Sequence, residues 1–292
     1  MLGPTASGKS EVALALAQDL GAEIVSVDSM QVYRGMDIGT AKPSEDDRAS
    51  TPHHLIDVVN PDEDFSVADS QRLGRTAIES ASGSVIIAGG TGLAFRAIVD
   101  PLQFPGQHPE ARADLEALEL GTLQVRLLEV DPTAGEHIDM ANPRRLVRAL
   151  EVHALTGQTP SERAATSEAA AVRAYESRFQ FAAVGFDPGA GLQARAVARF
   201  DAMLADGLLD EVAGLASRLG RTAAQAVGYK ELLPVVAGET TLDDGRDAAI
   251  TATLAVAANQ RTYFRRDPRI RWLEWDDDAG VRIEAARREL KI

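Results

Sequence analysis

The first ten residues carry the densest chemistry in the chain. Gly3-Pro4-Thr5-Ala6-Ser7-Gly8-Lys9-Ser10 matches the G-x-x-x-x-G-K-[ST] spacing of a loop that holds phosphates. Its glycines let the backbone bend so that successive N–H groups point into one hollow. Lys9 adds a mobile positive charge, and the Ser10 hydroxyl is placed to ligate Mg²⁺. A helix expected from residue 9 aims its positive end at the same hollow. Such a loop binds a di- or triphosphate, ATP among them; the spacing leaves open which one and what becomes of it.

Other residues offer partners for that loop. Asp28 ends an apolar, β-branched run, where a carboxylate either takes a proton, holds Mg²⁺ through water, or caps a turn. Arg195 and Arg199 are four apart on one expected helix and share a face; each is either a diphosphate clamp or half of a surface pair. Residues 33–43, rich in glycine and ending in proline, read as an ordered loop in which Arg34 and Lys42 are long enough to reach phosphates. His53 and His54 are adjacent on an extended segment and point to opposite faces, so they read as structural. His108, His137 and His153 have no metal-ligand spacing.

The elements that must position these residues alternate. A helix is expected over 9–20, strands over 24–27, 55–59 and 85–88, and a helix over 66–81 with Ser66 as its N-cap. The third strand runs into Gly89-Gly90-Thr91-Gly92. This order predicts an α/β protein, a parallel sheet of the P-loop type flanked by helices, with ligands at the carboxyl ends of its strands. The phosphate loop, Asp28 and Thr91 therefore face one crevice. Only Met1 and Leu2 precede Gly3, so most of the expected central strand is missing and a true start upstream is expected. The Pro/Gly stretch 101–109 marks a boundary. Beyond it the pattern turns helical over 109–118, 123–130 and 143–156, with 164–174 read as a loop. A strand over 179–184, a long helix over 192–209, further helices to about residue 265 and a short strand over 272–275 return to the core. The expected division is a core of 1–103 and 179–292 with a helical insertion of 104–178.

Composition narrows the classes. The chain has 292 residues, 45% of them hydrophobic, enough to bury a sizeable core. It has no cysteine, which excludes a disulfide framework, a thiolate metal site and cysteine catalysis. No leader pattern opens it and no apolar run is long enough to cross a bilayer, so a soluble cytoplasmic protein is expected. A net charge of −14 argues against broad nucleic-acid binding. The arginines are clustered, however: Arg144, Arg145 and Arg148 in one segment, Arg261, Arg265, Arg266, Arg269 and Arg271 in another. By composition alone a solvated face with balancing acids is the simpler reading of each.

Taken in order, these segments resemble the tRNA dimethylallyltransferases. The resemblance is carried by the phosphate loop and by the run Ser26-Val27-Asp28-Ser29-Met30-Gln31-Val32-Tyr33-Arg34-Gly35-Met36-Asp37-Ile38-Gly39-Thr40-Ala41-Lys42-Pro43. It continues through His53-His54-Leu55-Ile56-Asp57, Gly89-Gly90-Thr91-Gly92-Leu93, residues 144–152, Val227-Gly228-Tyr229-Lys230-Glu231 and Phe264-Arg265-Arg266-Asp267, over nearly the whole chain. It implies transfer of a dimethylallyl group from dimethylallyl diphosphate to N6 of the adenosine at tRNA position 37, assisted by Mg²⁺. The partners are then the donor and a tRNA anticodon stem-loop, and the protein acts as a monomer. The loop 3–10, with Mg²⁺ on Ser10, would cradle a diphosphate leaving group rather than ATP. Asp28, Lys9 and Arg199 fall on the catalytic positions. Asp28, Ser29, Met30, Gln31, Thr91, Arg112, Arg144, Arg145, Leu146, Val147, Arg148, Gln225, Ala226, Val227, Gly228, Tyr229 and Lys230 fall on positions that meet the tRNA. The target adenosine must leave its stack to reach the donor. Ala94, Leu254, Ala258 and Asn259 depart from the family pattern; the last three replace basic positions, which implies weaker RNA phosphate contacts along that helix. Three other readings share the loop: a small-molecule kinase using ATP, a nucleotide-dependent binding module without chemistry, and transfer to free AMP.

Overall fold

The computed structural model describes residues 1–292. Strands β1 (Glu23–Ser26), β2 (His53–His54) and β3 (Val85–Ala88) form a parallel sheet in the order β2-β1-β3. Strands β4 (Ala183–Phe186) and β5 (Ile270–Leu273) form a parallel pair. Met1 and Leu2 join the two. The Met1 nitrogen donates to the Ile87 carbonyl at 2.7 Å and the Gly89 N–H donates to the Met1 carbonyl at 3.2 Å. The Leu2 N–H donates to Val184 at 3.0 Å, and Phe186 N–H returns to Leu2 at 3.1 Å. The expected gap in the sheet is thus filled. Successive residues of a strand present their N–H and C=O groups to opposite edges, so two residues suffice to bond both neighbours. Leu2 is fully buried, and the phosphate loop springs directly from this junction.

The expected α/β class, a parallel sheet with helices, is what the chain adopts. Helix α1 (Lys9–Leu20) ends at Gly21 in the left-handed conformation. Helix α2 is Glu45–Ser50, and helix α3 (Val67–Ser80) opens on Ser66 with a full capping box to Asp69. Helix α4 (Gly92–Val99) follows the Gly89-Gly90-Thr91 turn. Contacts divide the chain into two compact units, Met1–Val99 with Gln180–Ile292, and Asp100–Phe179.

The second unit holds α5 (Pro109–Glu116), α6 (Leu120–Val130), α7 (Pro143–Thr156), α8 (Pro160–Ala164) and α9 (Ser167–Arg173). Its core is built by Leu115, Leu123, Leu127, Leu146, Val147 and Leu150. Residues 164–174, expected as a loop, are mostly helical, because Thr166 caps α9 at the Ala169 N–H. In the first unit, α10 (Leu192–Ala205) and α11 (Leu208–Leu215) replace the single long helix expected. Gly207, at φ 99°, separates them. Helices α12 (Tyr229–Val236), α13 (Leu242–Phe264) and α14 (Ala279–Leu290) complete the unit.

Two strands lie off their expected positions. β2 ends before the apolar run 55–59, where Leu55 and Asp57 take positive φ of 61° and 54° and break the extended backbone. β4 begins at Ala183 rather than Phe179, and Phe181 packs edge-on against Phe95 instead. No helix is long and apolar enough to cross a membrane.

Candidate active site

The phosphate loop is shaped by backbone positions that restrict residue type. Gly3 sits at φ 149°, and a Cβ there would meet the Phe186 carbonyl oxygen at 2.4 Å. Gly8 is left-handed at φ 72°, and so is Ala6 at φ 60°. Three side chains from distant helices fix the loop. Gln260 Oε1 accepts from the Thr5 N–H at 2.8 Å, Arg195 Nε donates to the Ala6 carbonyl at 2.9 Å, and Arg199 donates to Thr5 Oγ1 at 3.2 Å. From below, Arg282 of α14 packs against Gly8 and donates to Glu11 at 2.8 Å. Trp275 carries the Arg195 and Arg282 guanidinium groups over its ring, 4.7 and 4.6 Å from the ring centre. Ser7 Oγ is buried inside the loop with no hydrogen-bond partner.

The loop opens into a cavity of about 790 Å³. Lys9, Ser10, Arg199 and Asp28 all line it, with Asp28 just beyond the carboxyl end of β1. Lys9 Nζ donates to the Pro4 carbonyl at 3.1 Å. Burial is the main cause that lowers its pKa to about 8; the Arg199 charge lowers it further and Asp28 opposes both. Burial likewise lowers the pKa of Arg199, with Asp28 again opposing. Asp28 Oδ1 accepts from the Met30 N–H at 2.9 Å, the turn-capping bond its position allowed, while Oδ2 carries no such bond. The site thus brings Lys9, Arg199, the orphaned Ser7 hydroxyl and the Asp28 carboxylate around one volume, a grouping suited to an anion with a reactive tail.

The profile of the IPP transferase family matches residues 31–267. The chain belongs to the IPP transferase family. A Streptomyces coelicolor protein named tRNA dimethylallyltransferase is 44% identical over 284 residues, spanning 94% of this chain and 88% of the relative. One of the same name from Moorella thermoacetica is 45% identical over 303 residues, spanning 98% and 92%. The solved structure of the full-length tRNA isopentenylpyrophosphate transferase from Bacillus halodurans is similar at a TM-score of 0.70 and 34% identity, covering 98% of this chain and 93% of that one. The resemblance read from the sequence is therefore borne out at the level of the family.

Within this IPP transferase chain the residues singled out from the sequence separate into groups. Gln31 lines the cavity, but its carboxamide is engaged in bracing: it accepts from Ser26 Oγ at 2.8 Å and donates to the Thr40 and Ala41 carbonyls. Lys42 is buried among Asp37, Asp57 and the Tyr33 carbonyl, so it does not reach for phosphate. Arg34 points to Asn60. The Thr91 N–H donates to the Val27 carbonyl, tying the β3 turn beside Asp28. Ser29 and Met30 complete the turn after Asp28. Gln225 and Lys230 are exposed, Val227 is half-buried, and Ala226, Gly228 and Tyr229 are buried.

In the insertion, Arg144 and Arg145 project into solvent at the start of α7, where Asn142 caps their backbone. Leu146 and Val147 turn inward to the core. Arg148, expected beside them on RNA, is instead bonded to the Pro105 and Gly106 carbonyls and to buried Glu151 at 2.7 Å. Burial acts to raise the Glu151 pKa, but the His108 N–H and Arg148 outweigh it and hold the carboxylate ionised. Arg112 pairs with Glu116 at 2.8 Å and Glu151 at 3.8 Å. The second arginine cluster is balanced as its composition suggested: Arg261 and Arg265 meet Asp187, Arg269 meets Asp267 and Arg271 meets Glu289. Leu254 packs on the core, while Ala258 and Asn259 are exposed.

Sequence reasoning missed Glu211, Gln260 and Arg282. Glu211 accepts from three successive N–H groups, of Asp37, Ile38 and Gly39, and from the Tyr229 hydroxyl. Only the spacing of glycines in 33–43 hinted that this loop needed an outside anchor.

Proposed function

We propose that this chain transfers the dimethylallyl group of dimethylallyl diphosphate to N6 of the adenosine at tRNA position 37. One observation carries the reading. In a chain of the IPP transferase family, a phosphate loop and a free carboxylate oxygen line the same cavity. Diphosphate would lie in the loop, satisfying the orphaned Ser7 hydroxyl and the N–H groups of 6–10. As the allylic C1–O bond breaks, its electron pair leaves with the diphosphate, and Lys9 and Arg199 neutralise the growing charge. N6 forms the new bond to C1, and its proton passes to Asp28 Oδ2, the oxygen that Met30 leaves free. Arg144, Arg145, Gln225 and Lys230 are the exposed polar side chains we assign to the tRNA.

Mg²⁺ fits this donor set. The Ser10 hydroxyl is the side chain that would hold the ion beside the donor's diphosphate, and no group of three His or acidic side chains offers another cage. When bound it would add positive charge at the leaving group. The ATP, binding-module and AMP readings share the phosphate loop, but the family to which the chain belongs favours none of them. We further assign the protein to the cytoplasm, acting as a monomer.

The test is incubation with dimethylallyl diphosphate, Mg²⁺ and unmodified tRNA, followed by nucleoside mass spectrometry. Prenylated adenosine is expected with tRNA and not with AMP. Asp28→Asn is expected to slow transfer at least about 100-fold in single turnovers, with donor binding kept. Folded enzyme that adds no five-carbon unit at any magnesium level would overturn the reading.

A further inference from the structure

The loop that follows Asp28 forms part of the cavity wall, and its chemistry differs from that of the phosphate loop. Ile38, Ala41 and Pro43 line the cavity there with apolar surface; Thr40 joins them but turns its hydroxyl to the Met36 carbonyl. The start of this loop is held by one carboxylate. Glu211 Oε2 accepts from the Asp37 N–H at 2.9 Å and the Ile38 N–H at 2.8 Å; Oε1 accepts from the Gly39 N–H at 3.1 Å and the Tyr229 hydroxyl at 2.5 Å. Three consecutive N–H groups converging on one anion form a nest. The Tyr229 ring closes over it: a Cβ on Gly39 would stand 2.5 Å from the ring. Tyr229 is fully buried, and burial and the Glu211 charge both raise its pKa, so the phenol stays a donor. On the far side, Gln31 holds the Thr40 and Ala41 carbonyls.

We infer that Glu211 and Tyr229 are positioning residues that set the cavity wall against the hydrocarbon tail of the donor, and so determine which prenyl group is held. This deepens the proposed function and rests on it for the identity of the donor. The phosphate loop takes its supports from Gln260, Arg195 and Arg282, none of which touches Glu211 or Tyr229. Tail and head of the donor therefore depend on separate braces. Loosening the 37–39 nest is expected to cost affinity for dimethylallyl diphosphate and to spare affinity for inorganic diphosphate.

Glu211→Gln replaces one accepting oxygen by an N–H₂ group and sets donor against donor in the nest. Tyr229→Phe removes only the hydroxyl and keeps the ring over Gly39. Calorimetry with each variant would use dimethylallyl diphosphate and inorganic diphosphate as probes, both with Mg²⁺. For Glu211→Gln we expect about a tenfold weaker prenyl donor and a diphosphate constant within about twofold, the size of one lost charge-assisted bond. For Tyr229→Phe we expect about threefold and no change. In turnover, the donor KM of Tyr229→Phe should rise while its tRNA KM holds. Equal losses for both ligands, or none for either, in Tyr229→Phe would overturn the assignment, even where Glu211→Gln fails to fold. The binding arm stands whether or not wild-type protein transfers the group, so failure of the proposed function and failure of the positioning role are told apart.

Discussion

The charge state of Lys9 is set by its surroundings. Its ordinary pKa of 10.5 is brought to about 8 by burial first and Arg199 second. Between those values the unfolded chain binds the proton that the folded chain releases, so stability rises with pH from about 8 to about 10.5. Below pH 8 the full cost of a buried charge is present, about 3 kcal/mol by that shift. An arriving diphosphate favours the charged form and reverses the shift. Calorimetry at pH 8 in buffers of differing ionisation enthalpy should show about half a proton more taken up per diphosphate bound by the wild type than by Lys9→Met, a comparison that cancels the ligand's own proton exchange. Equal proton exchange in the two proteins would refute it. Lys9 and Asp28 were legible in the sequence because the loop spacing and the strand before Asp28 are local. Gln260 and Glu211 were not. Their partners Thr5 and Gly39 lie 255 and 172 residues away, and nothing in a Gln or Glu on a helix says which backbone it will meet.

At the scale of elements, the phosphate loop depends on how closely it can lie against β4. Gly3 combines a left-handed-side φ of 149° with a Cβ position 2.4 Å from a backbone oxygen. Neither neighbour can yield without moving a strand, so Gly3→Ala is expected to destabilise by about 2–4 kcal/mol, read as a lower denaturant midpoint at unchanged slope. Elements with strong local signals were read closely: α1, the Ser66-capped α3, and β3. Elements whose ends are set by distant packing were not. The run 55–59 is apolar and β-branched enough for a strand, yet positive φ at Leu55 and Asp57 turns it out of the sheet. The helix expected over 192–209 breaks at Gly207, a single glycine whose effect depends on the packing of Leu208 beyond it.

At the scale of the molecule, an acidic chain must meet a polyanion. A net charge of −14 repels RNA over long distances, and many of the arginines are paired with the chain's own carboxylates. Arg144 and Arg145 stay exposed without acidic partners, so they should supply a large share of the salt-dependent binding. Arg144→Ala with Arg145→Ala should raise the tRNA KM, leave the donor KM unchanged and lower the slope of log K against log salt by about 1.4. An unchanged slope would return both residues to the solvated surface. The molecule also imposes an order on its own assembly. The Met1–Leu2 segment is bonded on both sides only once Val184 and Phe186 exist, and Gly8 gains its guanidinium support only with Arg282. During translation, at about 5–20 residues per second, the phosphate loop is therefore made well before the partners that complete it. A chain released without α14 would still close its sheet through β5 and keep Gln260 and Arg195 on the phosphate loop, yet lack the guanidinium beneath Gly8.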